Sequence, residues 1–134
     1  SLLQILEQIR RYMLQTLLPS ARRVTIHVGG EDVIVSADCA SSVALVVNEL
    51  VQNALKYAFP SGQAGRIGIE LHSGRPLCQL TVWDNGVGFH ADRPRPGGAG
   101  LELASTIVRE KLTGEWSVES GPGGTRISFD FLEQ

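Results

Sequence analysis

The sequence predicts an α+β fold: a two-layer α/β sandwich with three helices on one face of a mixed, mostly antiparallel sheet. Three observations predict it. Apolar residues recur at helical spacing in three segments, near residues 2–17, 40–58 and 99–112. Short runs of β-forming residues lie between them, in pairs joined by Gly- or Pro-bearing turns. Strands that arrive in such pairs, rather than alternating singly with helices, favour antiparallel neighbours and helices gathered on one face.

The first helix is amphipathic, with Leu2, Ile5, Leu6, Ile9, Met13, Leu14 and Leu17 on its apolar stripe, and it ends before Pro19. It begins at Ser1 without a clear cap, which reads as a piece of a longer chain. Val24–Val28 and Val33–Ser36 flank Gly29-Gly30 and are expected to form a hairpin. Asp38 is expected to cap a second helix from about Ala40 to Ala58, stopped by Phe59-Pro60-Ser61-Gly62. Two alternating runs follow, Arg66–His72 and Leu77–Asp84, joined by Ser73-Gly74-Arg75-Pro76. A loop rich in Gly and Pro spans Asn85–Gly98. The third helix runs from about Ala99 to Leu112, with Gly114 suited to its C′ position. The last strands, Glu115–Ser120 and Thr125–Phe131, meet through Gly121-Pro122-Gly123-Gly124. The expected order has six strands in three pairs.

The 134 residues suit one domain and can bury a core without metal or disulfide staples. At 43% hydrophobic and 19% charged, the chain is not a disordered tail. Twelve Lys and Arg against 14 Asp and Glu leave a net charge of −2, a poor balance for a general nucleic-acid binder. Cys39 and Cys78 have no Cys-x-x-Cys spacing, so they read as two buried, reduced thiols. No segment is apolar enough to span a bilayer, and Glu7, Arg10 and Arg11 break any signal-peptide core. The phosphate-binding patterns of Rossmann and P-loop proteins are absent.

Four segments could carry chemistry. On the second helix, advancing roughly 100° per residue from Glu49 puts Asn53 at roughly 40° and Lys56 at roughly −20°. An acid, an amide and a base then share one stripe, with Val47, Leu50, Val51, Ala54 and Ala58 opposite. Asp84-Asn85-Gly86-Val87-Gly88 ends a strand with two glycines that let backbone approach a ligand. Gly97-Gly98-Ala99-Gly100-Leu101 opens a helix, where free N–H groups suit an anion. Gly123-Gly124-Thr125 precedes the last strand. Taken singly, each also reads as a solvated helix face or a turn.

Together, in this order, the segments resemble the GHKL superfamily: the ATP-binding domains of sensor histidine kinases, gyrase, Hsp90 and MutL proteins. Asn48-Glu49-Leu50-Val51-Gln52-Asn53-Ala54-Leu55-Lys56-Tyr57 is similar to its N box. Asp84-x-Gly86-x-Gly88 is similar to the G1 box, Gly98-x-Gly100-Leu101 to G2, and Gly124-Thr125 to the closing Gly-Thr. The likeness covers about residues 20–132. The N box and the short loop before G2 are most similar to the HisKA_2/HWE histidine kinases.

The resemblance implies a Bergerat-type sandwich holding ATP between the helix layer and a lid. It implies that Asn53 coordinates Mg²⁺ and that Glu49 polarises the attacking nucleophile. Lys56 pairs with phosphate, and Tyr57 packs near the sugar or base. Asp84 accepts from the adenine amino group, Gly86 and Gly88 let backbone approach the ring, and Thr125 bonds near the adenine. Gly98, Gly100 and Leu101 offer backbone N–H groups to the phosphates. The implied function is γ-phosphoryl transfer from Mg-ATP to a histidine outside this chain. Residues 20–134 form the catalytic domain, and residues 1–19 form a connection from an upstream dimerisation and phosphoacceptor domain. A response regulator is the indirect partner, and the location is cytoplasmic, with a parent protein that can be membrane-anchored.

Three features depart from the family pattern. The lid between Gly88 and Gly97 is short and lacks a phenylalanine-rich motif. Glu102 stands where many members have glycine. His27, His72 and His90 fall on strands or in the lid, so no phosphoacceptor is expected within the chain. The runner-up reading is an anti-sigma-factor serine kinase. A nucleotide-sensing module without catalysis is the reading from another class.

Overall fold

The structure, a computed structural model, describes residues 1–16, 24–59, 64–74, 77–88 and 98–132. Its elements are α1 (Leu2–Thr16), β1 (Val24–Gly30), α2 (Ala37–Tyr57), β2 (Gly65–His72), β3 (Leu77–Asp84), α3 (Gly98–Glu110), β4 (Trp116–Gly121) and β5 (Gly124–Leu132). The strands form one sheet in the order β1-β2-β3-β5-β4. β1 pairs with β2 in parallel, and the other three pairings are antiparallel. The two-layer, mostly antiparallel α+β sandwich predicted from the sequence is the fold observed.

The first hairpin is not. Among the described residues there are five strands, and Val33–Ser36 is not one of them. Its first residue, Val33, together with Asp32 before it, instead caps α1. The Val33 carbonyl accepts from Leu2 N–H at 3.0 Å, and Asp32 Oδ1 accepts from Leu3 N–H at 3.0 Å. Ser1 Oγ accepts from Gln4 N–H at 3.3 Å and also bonds Asp32 Oδ2. The N–H groups that open α1 therefore find partners from a loop some 30 residues away. Pairing β1 with β2 makes α2 a crossover between parallel strands, a connection that strand-by-strand reading in hairpins does not anticipate.

Two helix ends differ from expectation in the same local way. The N-cap of α2 is Ser36, whose Oγ accepts from Cys39 N–H at 3.1 Å. Asp38 lies in the first turn, where its charge suits the helix dipole. After α3, the left-handed residue is Thr113 (φ 51°) rather than Gly114. Gly114 is needed for space: a Cβ there would sit 1.7 Å from the Asp130 carbonyl oxygen.

The core lies between the inner sheet face and the helices. Ile67, Ile69, Leu71, Leu80, Phe129 and Phe131 from the sheet meet Val43, Val46, Val47, Leu50 and Val51 of α2. Leu2, Leu6 and Met13 bring α1 into this same core. The predicted apolar face of α2 is buried as expected, but burial extends further round the helix, to Val46 on one side and Leu55 on the other. A helix packed against neighbours on several sides is apolar over most of its surface. Cys39 and Cys78 are buried and are not joined in a disulfide, and burial pushes the Cys39 thiol pKa up. No helix among the described residues is long and apolar enough to cross a membrane.

Candidate functional site

The stripe expected on α2 is graded by depth. Lys56 is exposed and Glu49 is half-buried, whereas Asn53 is only 6% exposed. Neither Oδ1 nor Nδ2 of Asn53 has a hydrogen-bond partner among the described residues. Leaving a buried polar group unbonded costs about 1–3 kcal/mol. Native interiors leave few such groups, and each calls for an explanation such as an ordered water, an ion or a bound ligand.

The C-terminal end of α2 is fastened to the Asp84–Gly88 loop. Ala58 N–H closes the helix on the Ala54 carbonyl at 2.9 Å, and the Ala58 carbonyl accepts from Val87 N–H at 3.0 Å. Gly86 lies against the same carbonyl, so closely that a Cβ would sit 2.2 Å from its oxygen. The loop is shaped from the strand side as well. Asp84 Oδ1 accepts from Gly86 N–H at 2.9 Å, turning the chain directly after β3. Asn85 continues the β2–β3 ladder with its side chain: its Oδ1 accepts from Arg66 N–H at 2.7 Å, and its own N–H donates to the Arg66 carbonyl at 3.2 Å.

Asp84 belongs to a row of cross-strand neighbours on the inner sheet face. Ile26, Ile67, Asp84, Thr125 and Ser120 are successive partners across β1, β2, β3, β5 and β4. The row is apolar on one half and polar on the other. Asp84 and Thr125 are both buried, and Ser120 Oγ lies 2.8 Å from Thr125 Oγ1. The β4–β5 turn braces the loop from this side. Gly124 (φ 130°) packs against the Asp84 carbonyl, and Gly88 (φ 69°) packs against the Gly121 carbonyl. A side chain at either glycine would meet backbone and would need a strained φ. A cavity of about 470 Å³ opens at this end of the sheet, lined by Trp83, Arg126 and Glu119, cross-strand neighbours on the outer face, together with Asp84, Asn85, Ser120, Thr125 and the glycines of the β4–β5 turn. No residue of α2 is among its described lining residues.

Gly98 and Gly100 form the first turn of α3, and Leu101 packs partly buried on the core. The first N–H groups of any helix lack intrahelical acceptors, so this turn presents donors. Tyr57, the last residue of α2, is half-buried. The stretch 89–97, with His90, and residues 60–63 lie outside the described residues. His27 and His72 are exposed on β1 and β2.

Sequence reasoning missed Ser120, Asn85 and Ala58. Ser120 could have been found: once 121–124 is read as a hairpin turn, Ser120 falls opposite Thr125. The Ala58 role could not, because a backbone carbonyl carries no residue-specific signal.

A buried amide on the central helix with no partner among the described residues, an acidic strand end beside a glycine-bearing loop, and a helix opening through glycines all belong to one α+β sandwich. Residues 39–134 match the family described as histidine kinase-, DNA gyrase B-, and HSP90-like ATPase, and the chain belongs to that family. Among its relatives, the swarming motility regulation sensor protein RssA of Serratia marcescens is 46% identical over 116 residues, which is 75% of this chain and 24% of that protein. Blue-light-activated histidine kinase 2 of Erythrobacter litoralis is 31% identical over 112 residues, 80% of this chain and 32% of that protein. The histidine kinase domain of the Erythrobacter litoralis EL346 blue-light activated histidine kinase superimposes with a TM-score of 0.83 at 27% identity, covering 97% of this chain and 64% of that one. The chain thus spans about a quarter to a third of the length of those curated relatives.

Proposed function

We propose that this chain positions Mg-ATP for transfer of the γ-phosphoryl group to a histidine outside it, in the manner of two-component sensor kinases. The observation that carries the reading is the Asn53 amide, buried on α2 without a partner among the described residues. Its carbonyl oxygen is the hard, neutral donor that Mg²⁺ takes beside phosphate oxygens and water. Bound there, Mg²⁺ supplies charge neutralisation on the triphosphate.

The chain's own residues then divide the work. Asp84, buried and fixed by the Gly86 N–H, accepts from the exocyclic amino group of adenine, and Thr125 bonds beside it. Gly86 and Gly88 keep side chains off the ring. Tyr57 packs beside the sugar or base. Lys56 and the N–H groups opening α3 at Gly98, Gly100 and Leu101 hold phosphate oxygens. Glu49, one helical turn before Asn53, polarises the incoming nucleophile. Phosphoryl transfer asks mainly for such positioning and charge balance, not covalent chemistry by the protein.

In this reading residues 20–134 carry the nucleotide site. Residues 1–19 connect it to a dimerisation and phosphoacceptor domain, with a response regulator receiving the phosphoryl group afterwards, in the cytoplasm. Titration calorimetry with a non-hydrolysable ATP analogue, with and without Mg²⁺, tests the first part. Binding that ignores Mg²⁺ removes the role given to Asn53. Incubation with phosphoacceptor domains followed by acid treatment tests the second: phosphohistidine is lost in acid, whereas an acid-stable phosphoprotein points to a serine acceptor.

A further inference from the structure

We infer that Ser120 is a positioning residue for recognition of the nucleotide base, acting through Thr125; the inference rests on the proposed nucleotide site. Ser120 lies at the end of β4, in direct register with Thr125 of β5, which is in register with Asp84 of β3. Three polar residues therefore stand side by side on the inner face, ending a row whose other members are Ile67 and Ile26. Ser120 Oγ and Thr125 Oγ1 are 2.8 Å apart. Asp84 and Thr125 are 7% and 4% exposed, so the pair that would read the base is set in the interior, while Ser120 is only partly covered.

A hydroxyl has one proton and two lone pairs, and its proton rotates freely until a partner fixes it. The Ser120 contact occupies one of the three bonding directions of Thr125 Oγ1 and so limits where the others point. Next to a buried carboxylate this restriction has a consequence. A hydroxyl of unfixed orientation offers a base either a donor or an acceptor, whereas an oriented one offers a single pattern. Discrimination then follows because a mismatched base leaves a buried group unpaired. The backbone around Ser120 is built to hold this register: its neighbour Gly121 packs on Gly88, and Gly124, before Thr125, packs on the Asp84 carbonyl. The turn that places Ser120 also braces the loop that holds Asp84.

The experiment compares ADP with inosine diphosphate, which lacks the exocyclic amino group, by calorimetry on the 134-residue chain in Mg²⁺. The variants are Ser120→Ala, Ser120→Thr and Asp84→Asn. Ser120→Ala is expected to weaken ADP by roughly 3- to 10-fold, the loss of one part-buried hydrogen bond, and to shrink the ADP preference over inosine diphosphate. Ser120→Thr keeps the hydroxyl and is expected to restore both. Unchanged affinity and preference in Ser120→Ala, with Asp84→Asn losing the preference, overturns the role of Ser120 while leaving the base site in place. Unchanged preference in both Ser120→Ala and Asp84→Asn overturns the base site itself and this inference with it. A uniform loss for both nucleotides that Ser120→Thr fails to restore marks Ser120 as merely structural.

Discussion

Asp84 on β3 and Thr125 on β5 are Cα partners in the antiparallel ladder, and both are buried where the sheet meets the glycine loop. A carboxylate and a hydroxyl side by side in an interior present a short polar edge, suited to the edge of a base. Asp84→Asn keeps the shape and the acceptor for the Gly86 N–H but removes the charge. Adenine nucleotides are expected to bind roughly 10- to 100-fold more weakly, the worth of a hydrogen bond to a charged group. Equal ADP affinity in parent and variant, measured by calorimetry, would remove Asp84 from the site.

Asn53→Ala separates function from stability. The amide is buried with neither polar atom bonded among the described residues, so removing it deletes an uncompensated cost of about 1–3 kcal/mol while opening a small void. The nucleotide-free variant is expected to melt no lower than the parent, yet to lose Mg²⁺-dependent ATP binding and transfer. A melting temperature several degrees below the parent's would show that the amide holds the fold rather than a ligand.

Gly86→Ala tests the joint between α2 and the loop. The new methyl would lie 2.2 Å from the Ala58 carbonyl oxygen, which also accepts from Val87 N–H. Backbone must move to admit it, at a cost of about 1–3 kcal/mol. Denaturant unfolding is expected to show that loss, and nucleotide binding is expected to fall with it, since the Asp84 turn shares the same joint. A variant as stable as the parent contradicts the contact.

The cap that holds α1 is expected to respond to acid. Hydrogen bonds from Ser1 and from Leu3 N–H hold the Asp32 carboxyl below the usual carboxylate range. A carboxyl with a depressed folded-state pKa stabilises fully above its unfolded pKa, and the contribution is lost as pH falls through the folded value. Amide exchange in the first turns of α1 is therefore expected to quicken as pH drops below the ordinary carboxyl range, after correction for intrinsic rates. Asp32→Asn is expected to flatten that dependence; a variant with the parent's profile assigns the effect to another group.

Much of the fold was legible in the sequence because its signals are local. Leu77–Asp84 was read with its observed bounds, since alternation and flanking turns mark a strand whatever it pairs with. The same locality explains the failure at Val33–Ser36. A short β-branched run after Gly29-Gly30 looks like the second arm of a hairpin, but its first residue, Val33, bonds the start of α1, distant in sequence, and its last, Ser36, caps α2. Ser36 won the cap from Asp38 by a two-residue shift, a difference that only backbone geometry settles.

From the sequence alone came the residue types and spacings of the candidate site, Glu49, Asn53, Asp84 and the glycines among them, because helical and strand periods place neighbours on a face without reference to the rest of the chain. Tertiary structure alone decided how deep each one sits. Asn53 is buried and Lys56 exposed on what the helical period makes a single stripe, since burial depends on the neighbours packed round α2. It also decided that Ser120, Thr125 and Asp84 form one polar row, because strand order joins β4 to β5 and β5 to β3, and pairing across a sheet is a long-range choice that no local pattern encodes.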